Sequence, residues 1–251
     1  MAVAVDKGQV LALPGWFTPL DFDLFEWFLS QQCKPGDLLE IGVFKGQSAV
    51  PIGTHKRAGE RFTVCDIFER SDYDGLTRGE FETNYLRFHS TLPDVVDDSS
   101  LNIRDYLKPH SCRFIHVDGS HLYEFIKSDI EAALDLADPE AVIVLDDYRS
   151  MHTPGVAAAT WAAVIEGRLF PVCLSEVKLY ATVRPTDLAD RLAAWFETTD
   201  FLHGTQEVLG KKLVWAFPSP PSRLSAVTHL VSTAVKEKVC SSRDRLRSAA
   251  R

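Results

Sequence analysis

The chain has 251 residues, 45% of them hydrophobic, and a formal net charge of -8. That is enough apolar content for one large α/β domain with a full core, and the acidic balance argues against nonspecific nucleic-acid binding. No run of about 18 apolar residues occurs, and MAVAVDKGQV lacks the segments of a signal peptide, so no membrane span is expected and the chain is read as cytoplasmic.

The first element is aromatic-rich. GWFTPLDFDLFEWFLSQ predicts a helix over 19–31, with Thr18 as its cap and Pro19 at its first position, and residues 1–35 read as a helical cap or lid. Short β-rich runs then alternate with helical patterns, which predicts a mostly parallel sheet with helices on both faces. Strands are expected at 37–43, 61–68, 112–119, 141–148 and 211–217, with 170–175 and 178–183 as a further pair. Residues 71–98 read as a loop or partly helical insertion. Apolar residues at helical spacing predict amphipathic helices over 123–137 and 186–198. Residues 36–218 form the main domain. The remainder, 219–251, reads as a linker, an amphipathic helix over 224–239 and a basic tail, with seven Lys/Arg against two Asp/Glu from Arg223 onward. The five cysteines, Cys33, Cys65, Cys112, Cys173 and Cys240, are scattered without a C-x-x-C pair, which argues against a disulfide framework and a zinc site.

The first strand runs into Glu40-x-Gly42-x-x-x-Gly46-x-Ser48, a strand-to-helix turn whose glycines let the backbone approach a ligand. A nucleoside cofactor fits such a turn, and the wide glycine spacing favours one without a pyrophosphate over a dinucleotide. Asp66, closing the next strand, is suited to a pair of ribose hydroxyls, in either kind of cofactor.

Two further strands end in carboxylates, at Asp118 and at Asp146-Asp147. Neighbouring strands lie about 4.8 Å apart, so the three acids can converge on a cation, and like charges that close need something positive between them. An all-oxygen set points to Mg²⁺, Mn²⁺ or Ca²⁺, which would acidify a bound hydroxyl. His121, just past Asp118, is the candidate general base; His116, within the strand, reads as a satisfied core group.

At these residues the chain resembles the class I S-adenosylmethionine-dependent methyltransferases and, within them, the metal-dependent sugar O-methyltransferases typified by the macrocin and mycinamicin enzymes. The likeness covers about 15 to 165. It is carried by Gly15-Trp16-Phe17, by Glu40-Ile41-Gly42 through Gly46-Gln47-Ser48, by Asp118-Gly119-Ser120-His121-Leu122-Tyr123, and by Asp146-Asp147-Tyr148 with Pro154-Gly155-Val156. The resemblance implies a seven-stranded sheet of order 3-2-1-4-5-7-6. It implies S-adenosylmethionine held by Glu40, Gly42, Gly46, Ser48, Asp66, Ser99 and Asp118, with Mg²⁺ or Mn²⁺ on Asp118, Asp146 and Asp147. His121 is then the base, where the catechol enzymes have a lysine, so the acceptor is expected to be a sugar or oligosaccharide hydroxyl, with Tyr148 and His152 as weaker substrate candidates. A homodimer is compatible with this reading; nucleic acid is not an expected partner. The rival readings are an NAD(P)-dependent oxidoreductase and a noncatalytic nucleoside-binding module.

Overall fold

The structure is a computed structural model and describes residues 5–70 and 77–219. After a short helix α1 (Lys7–Leu11), α2 (Pro19–Gln31) begins where Thr18 accepts a hydrogen bond from the Asp21 amide at 3.0 Å and Pro19 occupies the first turn. The cap satisfies one of the amides a helix start leaves open. Then follow β1 (Asp37–Ile41), α3 (Ala49–Thr54), β2 (Phe62–Asp66), α4 (Arg78–Tyr85), β3 (Asp94–Asp97), β4 (Cys112–Val117), α5 (Tyr123–Leu136), β5 (Ala137–Leu145), α6 (Pro154–Ile165), β6 (Phe170–Leu174), β7 (Leu179–Thr182), α7 (Leu188–Phe196), β8 (Leu202–Val208) and β9 (Lys211–Phe217).

Among the described residues one sheet contains the nine strands, in the order β3-β2-β1-β4-β5-β7-β6-β9-β8. Its first seven positions reproduce the expected order, and the β8–β9 hairpin extends the edge beyond β6, so the sheet has nine strands where seven were expected. β1 to β5 are parallel and β7 runs antiparallel to its neighbours. The central strands are apolar on both faces because helices cover both. Successive residues serve opposite cores: Leu38, Phe114 and Val142 pack with α2 and α3, while Leu39, Ile115 and Ile143 pack with α5 and α6.

The aromatic residues of α2 are core: Phe25 meets the rings of Phe114, His116 and Tyr180, and Phe28 stacks on Tyr180 at 5.0 Å. The insertion 71–98 holds α4 but also β3, a strand that was not expected there. Chain contacts divide the protein after Phe217. The helix expected at 224–239 lies outside the described residues. Among the described residues no helix is long and apolar enough to cross a membrane.

Candidate active site

The parallel strands deliver their carboxyl ends to one edge of the sheet, and in-register pairing aligns those ends. Ile41 is level with Cys65 and Val117, Asp66 with Asp97, and Val117 with Leu145. Open parallel sheets bind ligands at that edge.

At β1 the turn through Gly42 and Gly46 has φ of 79° and 89°, and a side chain at Gly42 would place its first carbon 1.9 Å from the Asp118 carbonyl oxygen. Glycine is required there by both conformation and space. Asp66 anchors the turn: its Oδ2 accepts from the amides of Val43 and Phe44 at 2.8 and 2.9 Å, and Oδ1 from that of Phe68 at 2.9 Å. A ribose contact by Asp66 would be additional to these. Gln47, part of the glycine motif, ties the N-terminal segment to the turn through the Phe17 amide and the Leu11 carbonyl. Ser99 caps a 3₁₀ turn beyond β3, and next to it Asp98 accepts from Asn102 and Tyr106.

Glu40 is fully buried and accepts from Ser48 Oγ at 2.5 Å through Oε1, which also lies 2.8 Å from His116 Nδ1. Its other oxygen, Oε2, is buried with no hydrogen-bond partner at the base of the glycine turn. An orphaned acceptor there fits a ligand that brings a polar donor, so the turn and its surroundings suit the implied cofactor.

The three strand-end carboxylates do not converge. Asp118 shares a hydrogen bond with Asp146. Burial, then the neighbouring Asp146, pushes Asp118 well above the ordinary carboxylate range, so this member of the pair holds the proton. Burial acts the same way on Asp146, but the Lys178 ammonium outweighs it and keeps that carboxyl low. Asp147 turns away, with a left-handed φ of 55°, and meets His121 Nε2 through Oδ2 at 3.0 Å while Oδ1 accepts from Ser150. The potential ligand atoms therefore fall into two groups, His116 with Asp118 and Asp146, and His121 with Asp147 and His152. The expected all-carboxylate set is not assembled, and the cation beside the Asp118–Asp146 pair is a lysine, which donates to Asp146. Nothing in the sequence pointed to Lys178, whose partner Asp146 stands 32 positions earlier.

The same turn at Asp147 corrects a second expectation. Tyr148, expected at the acceptor, is buried against Trp161 in the core beneath α6. His152 does lie at the site, its ring 5.7 Å from that of His121. The bond to Asp147 lifts the His121 pKa above its ordinary value, against the effect of burial, and the bond to His121 correspondingly lowers Asp147.

A family profile described as "Methyltransferase domain" matches residues 39–148, the stretch that runs from β1 through the glycine turn and Asp118 to the Asp146-Asp147 pair. The fold is that of the class I methyltransferases. Among solved structures, this methyltransferase fold is shared with the SAH-bound Podospora anserina methyltransferase PaMTH1, with a TM-score of 0.54 at 12% identity, over 71% of this chain and 86% of that one. It is also shared with CalS11, a TDP-rhamnose 3'-O-methyltransferase of calicheamicin biosynthesis, with a TM-score of 0.50 at 16% identity, over 70% and 85%. By sequence the chain is 25% identical to the uncharacterized protein y4gI of Sinorhizobium fredii over 55% of its own length, and it spans only 16% of that protein. Within the stretch that the profile matches, the glycine turn at β1 and the His121–Asp147 pair beyond β4 and β5 occupy the same sheet edge.

Proposed function

We propose that this protein is an S-adenosylmethionine-dependent O-methyltransferase whose acceptor is the hydroxyl of a sugar, an oligosaccharide or a glycoside. The observation that carries the reading is the His121–Asp147 pair, 3.0 Å apart at the strand ends beside the glycine turn. The O-methyltransferase and sugar readings draw further support from the shared fold of CalS11, whose own acceptor is a sugar. Cys33, Cys65, Cys112 and Cys173 are free thiols, which suits the cytoplasmic reading.

Asp147, held ionised, only accepts hydrogen bonds, so His121 Nε2 carries a proton toward it and Nδ1 keeps the lone pair. S-adenosylmethionine, when bound, supplies an electrophilic methyl group on a sulfonium. Glu40, Gly42, Gly46, Ser48 and Asp66 would hold it, with Ser99 and Asp118 at either side. His121 Nδ1 takes the hydroxyl proton as the oxygen becomes nucleophilic, and Asp147 fixes the ring and stabilises the imidazolium. His152, beside His121, is in position to contact the acceptor. The magnesium or manganese expected from the sequence enters no step, because the carboxylate set that would hold it is divided as described above.

General base catalysis contributes roughly 10²- to 10⁴-fold in rate. His121→Ala should lose about that factor in labelled-methyl transfer to a panel of glycosides while calorimetric S-adenosylmethionine binding stays intact; near wild-type turnover would remove His121 as base. A base must be neutral to act, and Asp147 raises its pKa, so activity should rise with pH through a value above that of free imidazole. Asp147→Asn should move that limb to lower pH, a displacement that a merely structural role would not produce.

A further inference from the structure

The acidic pair at the ends of β4 and β5 is neutralised from within the protein. Lys178 is 1% exposed, and its ammonium donates to Asp146 Oδ2 and lies 3.2 Å from His116 Nε2 and 5.7 Å from the centre of the Phe17 ring. Its backbone is fixed. Lys178 donates its amide to Ser175 Oγ at 3.1 Å, its carbonyl accepts from the Ser175 amide at 2.9 Å, and the Tyr148 amide, two residues past Asp146, is bonded to the Val177 carbonyl at 3.0 Å. The next residue, Leu179, is paired in register with Leu145 at the end of β5. The Lys178 side chain therefore starts from a backbone that the β5–β7 ladder fixes beside Asp146. From the other side, Glu40 and Ser48 hold His116 in place against the ammonium.

We infer that the Lys178 ammonium is the resident cation of this site, so that the Asp118–Asp146 pair takes up no divalent metal. A dication placed beside these carboxylates would stand against the buried charge of Lys178, which is 1% exposed, while Asp147 is bonded to His121 and Ser150 and does not join the pair. The lysine does for the carboxylates what a metal does elsewhere: it supplies the positive charge that lets two acids share one strand edge. The inference concerns the same edge as the proposed methyl transfer, but it is tested without donor, acceptor or turnover, so the two can fail separately.

The test is titration of the full chain with Mn²⁺, followed by electron paramagnetic resonance of the free ion. Asp118→Asn, which replaces a ligand oxygen by a near-isosteric amide, locates any binding. Wild type is expected to show no uptake that depends on Asp118 at millimolar metal; uptake that Asp118→Asn leaves unchanged, as at His121, Asp147 and His152, lies elsewhere and agrees with the inference. Saturable binding by wild type that Asp118→Asn abolishes would overturn it. Lys178→Met keeps the aliphatic stem and removes the charge, with Lys178→Gln as a more polar alternative should the first not fold. Either variant, once folded, should gain Mn²⁺ affinity at least tenfold and lose it again on addition of Asp118→Asn. A folded variant that gains none would remove the lysine as the cause and overturn the assignment.

Discussion

Asp129 sits on α5 with no solvent exposure, and neither of its carboxyl oxygens has a well-formed hydrogen bond. Burial pushes its pKa up to about 6 from an ordinary 3.8, with Ser100 and Arg104 offsetting only part of the effect. The unfolded chain ionises this group near pH 4 and the folded chain near pH 6. Folding is therefore favoured by the proton: stability is greatest below the unfolded value, falls through the window between the two, and above it carries a constant deficit of roughly 3 kcal/mol at about 1.4 kcal/mol per pKa unit. Asp129→Asn removes the titration. Urea denaturation should find the variant more stable than wild type at pH 8, by up to that amount, and nearly equal to it at pH 4; a gain of the same size at both pH values would rule out ionisation as the cause. Asp129 and Lys178 share a reason for being invisible in the sequence. Each is an ordinary polar residue on an amphipathic stretch, and its significance comes from partners or cavities supplied by remote segments. His121 could be singled out because its neighbours in the chain, Asp118 and Gly119, already marked a strand end.

At the scale of elements, the glycine turn shows how tightly β1 and β4 are coupled. Gly42→Ala asks an L-residue to adopt a φ of 79° and puts a carbon 1.9 Å from the carbonyl oxygen of Asp118, a backbone atom with little freedom to move. The left-handed conformation alone costs about 1 to 2 kcal/mol, and the contact adds to it by forcing β4 and the turn apart. Thermal melting should register that loss, and calorimetry should find S-adenosylmethionine binding weakened by more than the loss of stability explains, since the turn itself is displaced. Unchanged affinity would mean that the turn does not touch the cofactor. The strands around this turn were legible because two-sided burial writes continuous apolar runs such as LLEI and FIHV. β3 was not, because Asp94–Asp97 is a four-residue strand with an acid at each end, and among the described residues it pairs with β2 alone. Charges on such an edge discourage further pairing and erase the pattern by which a strand is recognised. β8, LHGTQEV, is likewise a sheet edge and mostly polar. At β5 the chain enters the sheet at Ala137, four residues before the expected start, through ADPE, whose composition reads as a turn.

Across the whole molecule, the two ends of the parallel sheet hold two different buried ionic systems. The carboxyl end has the site with Lys178. The amino end has Arg113, 1% exposed at the start of β4, whose guanidinium donates to Glu60 Oε1 and Oε2 at 3.0 and 2.9 Å, to Gln32 after α2 at 2.7 Å, and to the His55 carbonyl after α3 at 2.7 Å. Burial opposes ionisation of Glu60, but Arg113 and the amides of Arg57 and Gly36 outweigh it and hold its pKa below 4.5. This cluster joins α2, α3, β1 and β4 at the edge away from the chemistry, so it should govern stability and leave the site alone. Arg113→Met strands a buried carboxylate, a change that typically costs about 3 to 5 kcal/mol. Denaturant midpoints should drop accordingly at pH 7, while cofactor affinity, measured where the variant is fully folded, stays at the wild-type value. Because the folded pKa of Glu60 is depressed, the contribution of the pair is complete above the unfolded value and is lost as pH falls through the folded one. The gap between wild type and variant should therefore narrow as pH falls through the depressed folded pKa of Glu60. Adding Glu60→Gln removes the stranded charge as well, and the double variant should recover part of the lost stability at neutral pH. A double variant less stable than Arg113→Met alone would assign the cluster's effect to the packing of the long side chains rather than to their charges.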